Sequence, residues 1–239
     1  MIEIVPETGS TNADLLARLI GGEAIPDGHW LVADRQTQGR GRQGRSWIDA
    51  PGNFMGSTVV NLENSHGPPP ATLSFVAALA VYESVLPMIE NPHALMLKWP
   101  NDLLLANAKF CGLLLERAAN TVVVGIGVNL AAAPMVPDRS VASLGQSRVA
   151  PPHDIFARVL ADQFATELRR WREFGHEPIL TRWLAAAHPV GTPLSVHQSD
   201  GSSISGAFDG LAEDGALRLR LQGGESRVIH AGDVMLETR

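Results

Sequence analysis

The sequence predicts an α+β protein, a mixed or antiparallel sheet with helices, followed by a small all-β unit. Three observations carry that expectation. Strand-like segments succeed one another at hairpin spacing between residues 94 and 116, and helical periodicities flank them at 71–86 and 153–174. After His188-Pro189 the composition shifts to short alternating segments separated by glycine-containing turns. The chain has 239 residues, 45% of them hydrophobic and 18% charged, enough for one good core plus a small second unit. The expected division is a larger unit over 1–188 and a β unit over 189–239.

Taken in order, residues 8–20 read as a helix entrance and a short helix. Thr11 with Asp14 three positions on resembles a capping box, and Leu15, Leu16, Leu19 and Ile20 form an apolar face. Gly21-Gly22 stops it. Trp30-Leu31-Val32-Ala33 is a candidate strand, 54–62 another, and Pro68-Pro69-Pro70 a break before the alanine-rich helix of 71–86. Strands then follow at 94–99, 102–105 and 109–116, with Asn107 near a tight turn. The run Thr121 to Leu130 is apolar enough for a central strand, and Pro134 and Pro137 mark a loop. On the helix of 153–174, Ile155, Val159, Leu160, Phe164, Leu168 and Trp171 share one face. A last short helix is expected at 178–187, then strands at 193–197, 204–211, 216–221 and 225–229 in a tiny barrel.

Composition excludes several classes. A formal net charge of −6 argues against a general nucleic-acid binder, because phosphate contacts need net positive surface. The single cysteine, Cys111, excludes an internal disulfide framework and any multi-cysteine metal site. None of the eight histidines forms an H-x-x-x-H pair, so a structural zinc is not expected. The first six residues lack the basic start and apolar centre of a signal peptide, and no apolar run approaches the roughly 20 residues of a membrane span. The expected location is cytoplasmic, with no membrane partner.

Against that acidic background, Gly39-Arg40-Gly41-Arg42-Gln43-Gly44-Arg45-Ser46-Trp47 is anomalous. Glycine lets backbone fold closely round a ligand, and each guanidinium offers fixed donors for phosphate or carboxylate. The same loop would also serve as an RNA contact or a solvated turn. In Lys98-Trp99-Pro100-Asn101-Asp102 the proline forces extended backbone at Trp99, and Asn-Asp makes the turn. That segment is either a hairpin tip or a place where Asn101 and Asp102 meet a polar ligand or hydrated Mg²⁺. Lys109 opens an apolar strand and either snorkels to solvent or neutralises charge at a pocket mouth. Gly125, Gly127 and Asn129 share one face of their strand, bare enough for a flat ligand or a closely packed helix. Ser10-Thr11-Asn12 caps a helix, and with Gln36 also offers the donors and acceptors that suit a small cyclic urea or amide.

Together these segments resemble the bacterial biotin–protein ligases, in the family's order and spacing and across nearly the whole chain. The resemblance runs through Ser10-Thr11-Asn12, Gln36, residues 39–47, residues 98–102, Lys109-x-x-Gly112-x-Leu114-x-Glu116 and residues 125–129. It implies a class II synthetase-like ligase domain with an SH3-like C-terminal domain. It implies Ser10, Thr11, Asn12, Gln36, Arg40, Gly41, Arg42, Lys109, Gly112 and Leu114 for biotin. For the nucleotide it implies Arg42, Arg45, Trp47, Asn101 and Asn129, for catalysis Arg42 and Lys109, and for Mg²⁺ Asp102. The implied reaction uses ATP to form biotinyl-5′-AMP and then transfers biotin to a lysine of a biotin carboxyl carrier protein or domain. A homodimer paired through a sheet edge is a further option. Some relatives carry a winged-helix DNA-binding domain ahead of this region; here Met1 leads directly into the ligase motifs, so repressor activity and DNA binding are not expected. Lipoate or octanoate chemistry on the same fold, a non-catalytic RNA-binding module and a vitamin binder without turnover are the alternatives. The first would carry an Arg-Arg-x-Ser-Gly-Gly-Gly-type segment that is absent from this sequence.

Overall fold

The computed structural model describes residues 1–62, 67–137, 139–146, 148–197 and 201–236. One seven-stranded sheet is built from β1 (Ile2–Val5), β2 (Trp30–Ala33), β3 (Phe54–Asn61), β4 (Leu95–Lys98), β5 (Asp102–Leu105), β6 (Ala108–Ala118) and β7 (Thr121–Val128). Their order is β1-β2-β3-β7-β6-β5-β4. Only β1 and β2 pair in parallel, and every other neighbour is antiparallel, so the sheet is mixed. The expected hairpins are present. Ala106 and Asn107, both at positive φ (50° and 64°), form the two-residue turn between β5 and β6 that such backbone favours.

Helices α2 (Leu73–Val85), α3 (His153–Phe174) and α4 (Glu177–Ala186) pack on one another and join the sheet through a single apolar core. Helix α1 (Thr11–Ile20) is seated instead over a second cluster, Leu15, Ile25, Leu31, Val59 and Val123. Pro70–Met88, containing α2, is long and apolar enough by composition to cross a membrane, which the sequence reading did not anticipate. Here it is the mostly buried central helix of the fold, with Phe75, Val76, Leu79 and Ala80 enclosed by the core.

The C-terminal unit is a five-stranded antiparallel sheet of β8 (Pro193–His197), β9 (Ser203–Leu211), β10 (Leu217–Arg220), β11 (Ser226–Ile229) and β12 (Asp233–Leu236), with β11 and β12 at its edges. Its inward residues Val196, Phe208, Leu219 and Val234 are continuous with the main core. The Trp99 indole N–H donates to Gly215 O at 3.0 Å, and His188 stacks on Phe208 with ring centroids 4.3 Å apart. The unit is therefore anchored directly behind β4.

Register prepares one face of the large sheet for a site. Ser57, Gly125 and Leu114 lie side by side on β3, β7 and β6, and Met55, Gly127 and Gly112 form the next rung. On the other side of the Ser57 rung, Val59, Val123 and Glu116 align. Alternation in each strand puts all nine side-chain positions on the face that α1 only half covers.

Several expectations are corrected. Ser10, not Thr11, is the N-cap of α1, and no side chain caps there. Asp14 instead accepts a hydrogen bond from the Thr8 hydroxyl, so there is no capping box. Ile20 is exposed, as are Ile155 and Val159 on α3, whose buried face runs through Phe156, Leu160, Phe164, Glu167, Leu168 and Trp171. Strands β1 and β12 were not anticipated.

Candidate active site

The half-covered sheet face becomes a cleft of about 750 Å³ between α1, the arginine–glycine loop, the tip of the β4–β5 hairpin, Val136, Pro137, Arg139 and Ser140, and β12. Its floor is the glycine rung pair. A Cβ built on Gly125 would lie 2.3 Å from Asn12 Oδ1, and one on Gly127 would lie 2.4 Å from Trp47 Cε2. Both spacings are impossible for real side chains, so the two glycines admit the α1 terminus and the Trp47 indole against bare backbone. The close-packing reading of that strand holds at Gly125, where the start of α1 packs, and at Gly127 it is the protein's own Trp47 indole that lies against the backbone.

One end of the cleft is lined by neutral polar side chains, with the Glu116–Arg40 ion pair behind Asn12. The Thr11 backbone N–H donates to Gln36 Oε1 at 2.8 Å, and the Thr11 hydroxyl lies 3.1 Å from that oxygen and 2.7 Å from Ser57 Oγ. Ser57 Oγ donates to Asn12 Oδ1 at 2.6 Å, and Asn12 Nδ2 donates to Glu116 Oε2 at 3.0 Å. These bonds fix both amides: Gln36 has its oxygen committed and its NH₂ left over, and Asn12 is held from both ends. Ser10, Thr11 and Asn12 are all buried. Ser57 was missed in the sequence; its only signal is a serine among the apolar residues of Phe-Met-Gly-Ser-Thr-Val-Val.

The other end is cationic. Asp102 pairs with Lys109 Nζ at 2.6 Å and with Lys98 Nζ at 3.5 Å. Burial alone would push the Asp102 carboxyl up, but the two ammonium groups, Lys109 foremost, hold it below the usual carboxylate range. Burial holds the Lys98 ammonium below its usual value, with Asp102 pulling the other way. Arg42 is lowered chiefly by burial, and its Nη1 donates to Asn101 Oδ1 at 3.2 Å. Arg45 forms a fork onto Asp233 of β12, Nη1–Oδ2 and Nη2–Oδ1 both at 2.7 Å, and Arg139 Nη2 lies 3.9 Å from the same carboxylate. Asp233 and Arg139 were not singled out in the sequence: the strand that carries Asp233 was not anticipated, and the loop marked by Pro134 and Pro137 gave no sign that Arg139 reaches the cleft.

The loop itself is a closed hairpin. Gly41 N–H donates to Arg45 O (2.7 Å) and Trp47 N–H to Gly39 O (2.9 Å), around a turn with Gln43 at φ 56° and Gly44 at φ 73°. Fourteen of the residues expected at the site line the cleft: Ser10, Thr11, Asn12, Gln36, Arg40, Gly41, Arg42, Arg45, Trp47, Asn101, Asp102, Lys109, Gly112 and Leu114. Asn129 does not. It lies beyond the end of β7, 1% exposed, where Asn53 Nδ2 donates to its Oδ1 at 3.3 Å. Asn53 also accepts from the N–H groups of Ala131 and Ala132, so the pair braces a loop.

Asp102 does not fit the expected magnesium role. Two ammonium groups already neutralise its carboxylate, leaving a net positive site that repels a dication. Among the described residues no three His, Cys, Asp or Glu side chains gather as a metal cluster.

A mixed sheet thus carries a neutral polar pocket and an adjoining cationic pocket, with β12 of the C-terminal unit at the cationic end. The fold is that of the Aquifex aeolicus biotin protein ligase, solved in complex with biotin and ATP: TM-score 0.83 and 24% identity, covering 100% of this chain and 99% of that one. Residues 6–131 match the biotin/lipoate A/B protein ligase family, and residues 196–236 match the biotin protein ligase C-terminal domain. This chain belongs to that family. The biotin--[acetyl-CoA-carboxylase] ligase of Paracoccus denitrificans is 37% identical over 243 residues, covering 97% of this chain and 98% of that protein. Its counterpart in Mycobacterium tuberculosis is 36% identical over 237 residues, covering 98% and 88%.

Proposed function

We propose that this chain uses ATP to attach biotin to a lysine of a biotin carboxyl carrier protein or domain, through biotinyl-5′-AMP. The observation that carries the reading is the cleft's division into a fixed, uncharged hydrogen-bonding end and a lysine–arginine end, joined along a floor of glycines. The cyclic urea of biotin is neutral and needs oriented donors and acceptors, which Thr11, Asn12, Gln36 and Ser57 supply. Its valeric carboxylate then extends toward Arg42 and Lys109, where the nucleotide phosphates also lie.

Chemically, a carboxylate oxygen attacks the α-phosphorus, a C–O–P anhydride forms, and the Pα–O bond to pyrophosphate breaks with its electron pair leaving on pyrophosphate. The acceptor lysine, as free amine, then attacks the acyl carbon, AMP leaves and the amine proton is lost. No enzyme nucleophile is needed, so the protein contributes positioning and charge. Lys109 and Arg42 offset charge at the carboxylate and α-phosphate, and Asp102 aims Lys109. The arginine–glycine loop covers the intermediate, its far end packed down by Trp47 against Gly127, keeping water from an anhydride that it would hydrolyse. Residues 1–188 form the catalytic unit, and 189–239 close its cationic end through Asp233. A cytoplasmic setting suits ATP-dependent carrier modification.

The test incubates purified chain with biotin, ATP, Mg²⁺ and a biotin carboxyl carrier domain. One biotinyl group added to a single carrier lysine, dependent on ATP, is the expected result. Transfer of lipoate or octanoate in place of biotin, or no transfer, overturns the reading.

A further inference from the structure

Glu116 belongs to the motif on β6, yet the reaction assigns it nothing. Its two carboxylate oxygens serve different elements. Oε2 accepts from Asn12 Nδ2 at 3.0 Å, and Oε1 pairs with Arg40 Nη2 at 3.0 Å. Asn12 sits at the start of α1 in the uncharged end of the cleft, and Arg40 begins the arginine–glycine loop. The carboxylate is 21% exposed while Arg40 is 49% exposed, so the sheet holds the fixed partner and the loop the free one. Asn12 cannot turn its amide without giving up Glu116 at one end and Ser57 at the other.

We propose that Glu116 is a positioning residue that couples recognition of the urea ring to closure of the loop. The proposal rests on the biotin reading above. Ser57 and Glu116 already set the Asn12 amide, the carboxylate that takes its Nδ2 on Oε2 presents Oε1 to Arg40, and a ligand bound at Asn12 strengthens this existing chain. The loop then has a charged anchor at its first arginine, next to the ligand, distinct from the Arg45–Asp233 anchor at its far end.

The two oxygens can be separated experimentally. Glu116→Gln keeps a neutral acceptor for Asn12 Nδ2 and turns an NH₂ toward Arg40; Glu116→Ala removes both. Loop closure is read as biotin-dependent protection from trypsin at Arg40, Arg42 and Arg45. Head recognition is read as biotin affinity by calorimetry, with ATP KM as the control.

Glu116→Gln should bind biotin within about twofold of wild type yet lose protection by about two- to fivefold, the range of a half-exposed ion pair. Glu116→Ala should lose protection and also weaken biotin binding by about tenfold or more, the range for an unpaired buried amide. ATP KM should hold in both. Equal protection in Glu116→Gln and wild type, or parallel shifts in biotin and ATP parameters, overturns the proposal. If the wild type itself neither binds nor is protected by biotin, the functional reading fails instead. A poorly folding Glu116→Ala leaves the Glu116→Gln comparison intact, and Arg40→Ala combined with Glu116→Gln must then add nothing to the single loss of protection.

Discussion

The two ends of the cleft use opposite physical means. At the neutral end, Thr11, Asn12, Gln36 and Ser57 form a hydrogen-bonded chain that Glu116 extends from Asn12 and that leaves the Gln36 NH₂ over, so the amide orientations are set before any ligand arrives. At the cationic end, Lys98, Lys109, Arg42, Arg45 and Arg139 gather round two carboxylates among the described residues, Asp102 and Asp233. Among the described residues that end holds more cations than carboxylates, which suits an anionic ligand. The first arrangement gives selectivity for a neutral shape; the second gives charge stabilisation that is strongest where negative charge develops. Binding and activation are therefore expected to separate by residue.

The largest break should come at the cationic end. Lys109→Ala or Arg42→Ala should each cost about 3 kcal/mol, or 10²-fold and more, in biotin-dependent ATP–pyrophosphate exchange. Wild-type-like rates in both would remove their assigned roles.

Next comes the seat of that end. His188 lies buried against Leu97 and Phe208, beside Lys98, with its pKa lowered to about 4, chiefly by burial. Its folded pKa is below the unfolded value of about 6.5, so the unfolded chain takes up the proton first. The stabilisation is full above pH 6.5 and is lost as pH falls toward 4, amounting to about 3 kcal/mol as an upper figure. Thermal melts from pH 7 to 4 should show this slope in wild type and lose part of it in His188→Phe; identical slopes would contradict it.

Gly125→Ala sharpens the comparison at the uncharged end. The new methyl must displace Asn12 Oδ1, at a cost of about 1–3 kcal/mol. Biotin KM should rise by that factor while kcat at saturating biotin stays within about threefold, measured by steady-state kinetics. The smallest effect is expected for Asp233→Asn. Its pair with Arg45 is partly exposed and worth up to about 1 kcal/mol, so ATP KM should rise by up to about fivefold with biotin KM unchanged.

How far the sequence carried this account follows from where information is local. Ser10-Thr11-Asn12, the arginine–glycine loop and the hairpin at 98–116 are contiguous signals, and all of them line the cleft. Helix α3 was found with its bounds, but Ile155 and Val159 were assigned to its buried face; the true face turns slightly and includes Glu167, whose charge is matched by Arg170 and Arg182. Strand β12, at a sheet edge, was not read from the sequence, and Asp233 reaches the cleft only through tertiary packing against β8. Asn129 was placed on the ligand face by continuing strand alternation one step past Val128, where the strand has ended. Asp102 read as a metal anchor because its two lysine partners, four residues before it and seven after, converge only in the folded hairpin.

The division of labour between the two ends is tested most directly by measuring biotin-dependent ATP–pyrophosphate exchange in Asn12→Ala and Lys109→Ala over a wide range of biotin concentration. The account predicts that saturating biotin restores Asn12→Ala to near wild-type exchange while Lys109→Ala stays about 10²-fold slow at any biotin concentration. Rescue of Lys109→Ala by biotin, with Asn12→Ala remaining slow, would contradict it.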